Sequence, residues 1–412
     1  MALTVPTTVF PSERRSLGYA KEVTPGVPVL PTSTIPVKGF IPEDKPIFLP
    51  DESLRSAMAS NYGMIEGPSY GDFTFDASPV YGDTIGAQLL NLLGDYTVTG
   101  TAATPTWTTS GSLSPGAGPI PVVTGSAAVA GTFIQVDVAP NAEVVTVDSA
   151  STTTSIVISA ATPLRFPHAS GVDVITVVAP FTHVFSLLNG TGNCQPPTHT
   201  FADMNFIPAN KARLFPYSCF SEIVLTGNAE GFFTWSGKAM GFRSQLPVSV
   251  PTVNVSTVPA EPAWNSTVGI GGPISTSQIY DIGEWEITIS RECQAFYTAN
   301  GQQSPYIIGR GKCSAAGKIN FSPTIDESPL TYLLSNAQPQ LQILQQNPAT
   351  SGTNTLQIDV NTCVFTAAVI EPSKALLGYA NNFEATANTT NAGQSAGYSP
   401  LKVTVVNGIP SY

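Results

Sequence analysis

The stretch Glu284-Trp285-Glu286-Ile287-Thr288-Ile289-Ser290-Arg291 alternates polar and apolar side chains without a break. Successive side chains of an extended strand point to opposite faces. Trp285, Ile287 and Ile289 therefore share one face, and Glu284, Glu286, Thr288 and Ser290 the other. Lys312–Phe321 reads as the antiparallel partner. One face of this pair is built for a core and the other for a polar environment.

The rest of the chain has the same texture. Gly and Pro number 35 and 36 in 412 residues, and Thr and Ser are abundant, the profile of many short strands joined by turns. Asp72–Asp76 reads as a strand with Phe73 and Phe75 on one face. Ser221–Thr226 and Phe232–Met240 read as a hairpin, with Glu222, Val224 and Thr226 on one face and Ile223 and Leu225 on the other. Which of these faces looks inward stays open. Further strands are expected at 341–344, 355–360, 363–370, 383–387 and 401–406. Ile35, Val37 and Phe40 read as strand-like, Pro42-Glu-Asp-Lys-Pro46 as a turn, Ile47-Phe-Leu49 as strand again, then a polar loop to Gly67-Pro68, and Gly309-Arg-Gly311 as another turn.

Two segments have helical period. Tyr81–Asp95 carries Leu89, Leu90, Leu92 and Leu93 as an apolar stripe, with Asp83 and Thr84 placed to cap it and Gly94 to end it. Asp326–Asn336 has Ser328 as its expected cap, Pro329 in its first turn and Leu330, Leu333 and Leu334 expected inside. The fold class is thus mainly β, a sandwich or barrel with one or two short helices.

Three regions differ in composition. Residues 1–34 are rich in Pro and Thr, lack periodicity and read as an extended arm. Residues 105–179 are Ala, Val, Thr, Ser and Gly with almost no charge, and hold four closely spaced strand patterns. They read as a small all-β unit inserted into a larger domain formed by 35–104 and 180–412.

Charge and cysteine usage exclude several functions. Only 11% of residues are charged, against roughly 25% in average soluble domains. The net charge is −11, and no Lys or Arg lies between Arg55 and Arg165. That argues against tight binding to phosphate backbones. Lys211, Arg213, Arg310 and Lys312 read as ordinary solvated or interface charges. The cysteines (194, 219, 293, 313, 363) are odd in number and form no CxxC, so free thiols are expected and no metal or other cofactor. No apolar run reaches the length of a membrane span, and no basic head precedes an apolar run as in a secretory signal. Glu284 and Glu286 share a face as a glycosidase pair would, but an amphipathic strand gives the same pattern without catalysis. His168, His183 and His199 belong to no recognisable catalytic motif; His183 and His199 flank an expected hairpin. No enzyme is expected.

In order along the chain stand Gly18–Thr32, Ile35-Pro-Val37, Pro42–Pro46, Gly67-Pro-Ser-Tyr70, Asp83–Gly94, Phe181–Asn189, Ala387–Gly393 and Gly397–Lys402. This succession resembles the major tail tube proteins of long, non-contractile-tailed, siphovirus-type phages of actinobacteria, over nearly the whole chain outside the insert. The resemblance implies a tail-tube β-sandwich whose copies form hexameric rings with their inner sheets joined around a lumen. The rings would stack into the tube that conducts genomic DNA, without specific binding, from capsid to host cell. Expected partners are further copies of the chain, the tape measure protein, the tail terminator and the distal tail proteins. The place is the virion tail, after assembly in the host cytoplasm, with no membrane involved. The lumen candidates are Glu284, Glu286, Thr288, Ser290, Lys318 and Asn320. The inter-subunit candidates are Arg14, Arg15, Tyr19, Lys45 and Arg55. The Tyr81–Asp95 helix would cover the outer face of the lumen sheet, and the insert would sit outside the tube. Rival readings are a head decoration or other virion structural protein, or a surface adhesin with a glycan-binding insert.

Overall fold

The computed structural model describes residues 12–53, 55–56, 58–149, 151–190, 192–204, 211–245, 248–321, 327–350, 353–373 and 376–412. The first eleven residues of the expected arm and the start of the second expected helix lie outside them.

Two large antiparallel sheets face each other, with a small third sheet and three short helices. Eight strands of the first sheet run in the order Phe40–Asp51, Gly63–Pro79, Thr234–Gly241, Lys211–Asn228, Ile282–Phe296, Ile307–Phe321, Leu376–Ala385 and Cys363–Ser373. The strand Lys211–Asn228 bends at Tyr217, whose φ is 55°. Its first half leaves these neighbours and pairs with His199–Met204, which in turn pairs with Ser16–Lys21. Two pieces of the segment read as an extended arm, Ser16–Lys21 and Ser33–Ile35, are therefore strands of this sheet. Glu22 pins the first of them at the bend: its carboxylate accepts from the Thr198 and Thr200 hydroxyls at 2.6 and 2.8 Å and from the Tyr217 N–H at 2.8 Å.

The second sheet runs Gln278–Ile279, Ser266–Ile270, Leu341–Gln346, Thr355–Val360, Lys402–Asn407 and Asp173–Leu187, which also pairs with Gly94–Thr108 and Phe133–Val136. The helix Ile85–Leu93 lies between the sheets. It packs on Lys211–Asn228 to one side and on Gly94–Thr108 and Asp173–Leu187 to the other. All nine of its residues are buried, so the leucine stripe is only part of its contact surface. Nine residues are too few for a stable isolated helix. Burial supplies what propensity lacks: Ile85, Leu89, Leu90, Leu92 and Leu93 are each at most 1% exposed and contribute roughly 1.5–3 kcal/mol apiece.

Several expectations are corrected. The caps at Asp83 and Thr84 are not made; Thr84 is the N-cap but its side chain bonds no helix amide. Gly94, at φ 88°, ends the helix as expected and opens the 15-residue strand Gly94–Thr108. The turn at 42–46 is instead the edge strand Phe40–Asp51. Pro42, Pro46 and Pro50 share one parity along it, so the missing N–H groups all fall on one edge, where strands tolerate proline. The polar loop before Gly67 is already strand from Gly63, and Gly309–Gly311 lies inside Ile307–Phe321. The helix Ser328–Ser335 has Glu327, not Ser328, as N-cap. It rests on the edge strand Cys363–Ser373, with the Tyr332 ring stacked 5.6 Å from Phe365. That contact rotates Leu334 outward, to 77% exposed.

The main core takes side chains from both sheets and the helix. A separate apolar cluster around Trp107, Ile120, Val136, Ile156 and Val174 lies within residues 107–174. The strands Gly94–Thr108 and Asp173–Leu187 run unbroken from one cluster to the other, with Val177 in the main core.

Candidate functional site

The eight-stranded run of the first sheet has two unlike faces. On one, Ile223, Leu225, Trp235, Trp285, Ile287, Ile289, Ile319 and Phe383 are at most 2% exposed and belong to the main core. The other holds the sequence candidates. Glu284, Glu286, Thr288 and Ser290 are half-buried and share it. Across one ladder Glu284 opposes Asn320 and Glu286 opposes Lys318. Across the other, Glu286 opposes Thr226, Thr288 opposes Val224 and Ser290 opposes Glu222. All six candidates are thus on one surface, and Glu222, Val224 and Thr226 join them because Ile223 and Leu225 are committed to the core.

The polar face continues through Lys238 and Thr74 on one side and Asn382 and Glu384 on the other. Its acids include Glu43, Asp72, Asp76, Glu222, Glu284, Glu286 and Glu384; its bases include Lys45, Lys238 and Lys318. Lys238 Nζ lies 2.9 Å from Glu222 Oε1. Lys318 Nζ lies 3.9 Å from both Glu284 Oε1 and Glu286 Oε2, and Asn320 Nδ2 donates to Glu284 Oε2 at 3.0 Å. Between the charges lie Thr, Ser and Ala. The face is shallow, acid-rich and chemically quiet.

The inter-subunit candidates divide. Arg15 is engaged within the chain: it forms two hydrogen bonds to the buried Asp203 carboxylate, at 3.0 and 3.1 Å, and lies 4.7 Å over the Phe40 ring. Tyr19 packs against the core, and burial, with Asp83 nearby, pushes its hydroxyl up to about 12. Arg14, Lys45 and Arg55 remain at the surface, with Lys45 beside Glu43 and Arg55 beside Asp51.

Arg310 is not a solvated charge. Arg291 and Arg310 are 3% and 5% exposed and point into the core side of the sheet. Arg291 Nη1 donates to the carbonyls of Leu92 and Leu93 at 2.9 and 3.2 Å, and Arg310 Nη1 to that of Asn91 at 3.0 Å. The C-terminus of a helix carries unpaired carbonyls and a partial negative charge, so two guanidinium groups satisfy both. The signal was present in the sequence, since Arg291 falls on the apolar parity of its strand.

The histidines are structural. His183 takes the Tyr96 hydroxyl at 2.9 Å on Nδ1 and faces Asn407 Oδ1 at 3.1 Å through Nε2; burial lowers it to about 4. His199 faces Asn91 and is lowered to about 3 by burial and by the nearby Lys21 and Arg310 charges. Burial works against a charge on His168, but hydrogen bonds to Glu143 and Asp137 raise it overall. All five cysteines are free thiols. Among the described residues no cluster of three or more His, Cys, Asp or Glu is placed to hold a metal ion.

The sheet ends in edge strands. Phe40–Asp51 pairs only with Gly63–Pro79, and Cys363–Ser373 only with Leu376–Ala385 among the described strands. The hairpin Phe40–Pro79 projects past the sheet, with Phe48, Leu49, Met64 and Ile65 each more than half exposed. Open edges and an apolar projection are features of a chain that completes itself against neighbours.

A search of curated proteins found no match. A family profile described as phage tail tube protein matches residues 12–396. With that match over nearly its whole length, the chain belongs to the phage tail tube protein family, whose members are structural, non-enzymatic components of the virion tail.

Proposed function

We propose that six copies close into a ring whose lumen is lined by the polar face around Glu284, Glu286, Thr288, Ser290, Lys318 and Asn320. The observation that carries this reading is the division of one sheet into a core face and an acid-rich face, with an open edge strand on each side. Setting Cys363–Ser373 of one copy against Phe40–Asp51 of the next would cover both edges and close a barrel, through a partial ladder because Pro42, Pro46 and Pro50 donate no N–H there. Rings stacked through the Phe40–Pro79 hairpin and the N-terminal segment would make a tube, with Arg14, Lys45 and Arg55 at its contacts. Excess carboxylate in the lumen repels DNA phosphates within a Debye length, about 8 Å at physiological salt, so DNA slides through without adhering.

The order of segments from Gly18–Thr32 to Gly397–Lys402 supports a siphovirus-type tail of an actinobacteriophage. Tape measure, tail terminator and distal tail proteins are then the further partners. Residues 105–179 form an external decoration in this reading, supported by their separate apolar cluster. Thr106 and Ile175 face each other across the connecting strands, so joining them by a short turn is the cleanest excision. Tubes should still form without the intervening residues.

Electron cryomicroscopy of tubes assembled from the purified chain tests the reading. Six-fold rings with Glu284 and Glu286 on the channel wall are expected. Tubes with those carboxylates on the outer surface, or closed shells in place of tubes, would refute it.

A further inference from the structure

The two apolar clusters meet at a short hairpin. Phe133–Val136 and Glu143–Thr146 pair antiparallel, and Val144 packs into the main core while its neighbour Val145 packs into the second cluster. Phe133 meets Phe181 of the main core edge-on, with ring centroids 5.8 Å apart. The turn that closes the hairpin lies against the strand Gly94–Thr108, where the Ala142 carbonyl accepts from the Val98 N–H at 3.3 Å. Asp137 stands at one end of this turn and Glu143 at the other.

A single buried side chain holds both ends. His168 faces Asp137 Oδ2 at 3.1 Å through Nδ1 and Glu143 Oε1 at 2.8 Å through Nε2. An ionised carboxylate only accepts, and a neutral imidazole has a single N–H. Both contacts are hydrogen bonds only when the ring is an imidazolium. Charge balance requires the same form. Glu143 is buried and takes the Arg165 and Phe166 N–H groups at 2.8 and 3.1 Å, with Arg165 Nε 3.9 Å away. Arg165 also reaches the main core, donating to the Tyr96 carbonyl at 2.6 Å and lying 4.4 Å over the Tyr96 ring. Asp95 adds a carboxylate near Arg165, and Asp173 meets the group through its carbonyl, which takes the Asp137 N–H at 2.9 Å. With a neutral ring, the Asp137 and Glu143 carboxylates would share one guanidinium, and a buried charge without its counter-charge is costly.

We propose that His168 is a protonation-dependent clasp: as an imidazolium it closes the turn 137–142 and seats the hairpin on the main core, and on losing a proton it releases the Asp137 end. Asp137 is the end that leaves because its side chain is 16% exposed and can turn to water, whereas Glu143, at 2%, keeps the remaining ring N–H and its two amides. Burial works to lower His168, but the hydrogen bonds from its two carboxylate partners raise it above 6.5 overall. A base whose folded pKa exceeds its unfolded value stabilises the fold fully below the latter, and that contribution is lost as pH rises through the folded one. The seat is therefore tight below pH 6.5 and loosens on the alkaline side.

The chain has only three histidines, so isotope-labelled histidine in the full chain tests this by nuclear magnetic resonance. Burial lowers His183 to about 4 and His199 to about 3, so at pH 6.5 only His168 should show two protonated ring nitrogens. Amide exchange protection, corrected for the intrinsic rate, should fall severalfold at Val98 and over residues 137–146 as pH rises through the His168 midpoint. In His168→Gln that pH dependence should vanish. Asp137→Asn removes one carboxylate and keeps the turn residue polar; it should bring the His168 midpoint down, and it reads the clasp even where the His168 variant does not fold. A His168 midpoint at or below 6.5, a midpoint unmoved in Asp137→Asn, or the same protection profile in His168→Gln as in the unsubstituted chain would overturn the proposal.

Discussion

The guanidinium of Arg291 donates to the carbonyl of Leu92 at 2.9 Å, tying the most regular strand of the first sheet to the end of the central helix. Arg291 and Arg310 both stand on the core face, and their hydrogen bonds run to main-chain oxygens of the helix end and of the segment Cys194–Pro197. Arg291→Met takes the guanidinium donor from the buried Leu92 carbonyl and from that of Cys194, while the Leu93 carbonyl keeps the Leu188 N–H. The expected loss is on the order of 3 kcal/mol, read as a lower urea midpoint. Arg291→Lys should recover little, because one ammonium cannot reproduce a planar fork spread over three carbonyls. A midpoint unchanged in Arg291→Met would contradict the capping role.

Gly317 lies where the sheet is closest to its neighbours. A Cβ there would stand 2.0 Å from the Glu286 carbonyl oxygen and 2.7 Å from the Phe383 ring. Backbone cannot yield as a flexible side chain can, so Gly317→Ala should cost about 1–3 kcal/mol or more. The neighbouring Ala316 faces the polar side, opposite Thr288, and is half-buried. Ala316→Ser should leave the thermal midpoint within about a degree, since surface changes are usually near neutral. Equal effects of the two substitutions would show that the close approach at Gly317 is unimportant.

Glu261 is fully buried, and neither carboxylate oxygen has a hydrogen-bond partner. Burial, reinforced by the Asp83 charge, pushes its pKa from 4.5 up to about 8. An acid whose folded pKa stands above its unfolded value stabilises the fold fully below the unfolded value. That contribution is lost as pH rises through the folded one, here between 4.5 and about 8. Across this window the unsubstituted protein should therefore lose thermal stability relative to Glu261→Gln, over a shared background in which the buried His183 and His199 add stability as pH rises to 6.5. The comparison needs midpoints at about pH 5 and about pH 9 for both proteins. An identical drop in each would exclude Glu261 as the source.

The polar face makes an electrostatic prediction. Glu284→Lys with Glu286→Lys turns the centre of that face basic. Tubes carrying both should retain double-stranded DNA at low salt and release it as salt rises, the signature of phosphate contacts. Unsubstituted tubes should retain none in the same filter-binding assay. Indifference of the reversed tubes to DNA would argue that these residues do not meet it.

The alternation at 284–291 was readable because period two is a local property that survives without knowledge of partners. It placed Glu284, Glu286, Thr288 and Ser290 on a common face, and the register adds Lys318 and Asn320. The face of Ser221–Thr226 was not readable, because Val224 on the polar side is as apolar as Ile223 on the core side. Pro42 and Pro46 suggested a turn because proline marks both turns and sheet edges; only the pairing with Phe73 and Ser69 tells them apart. The arginine pair was missed for a different reason. Its acceptors are carbonyls about two hundred residues away, which carry no trace in side-chain identity. The same holds for Arg15 and Asp203, separated by 188 positions.

The central helix has a mechanical consequence. Buried on every side and tied to one sheet by Arg291 and Arg310, it fills the space between the layers with close-packed side chains. Such interiors compress very little. The two layers therefore behave as one rigid block under load. In a long tail, curvature has to be taken up where one copy meets the next, and a flexed tube is a stack of unflexed subunits.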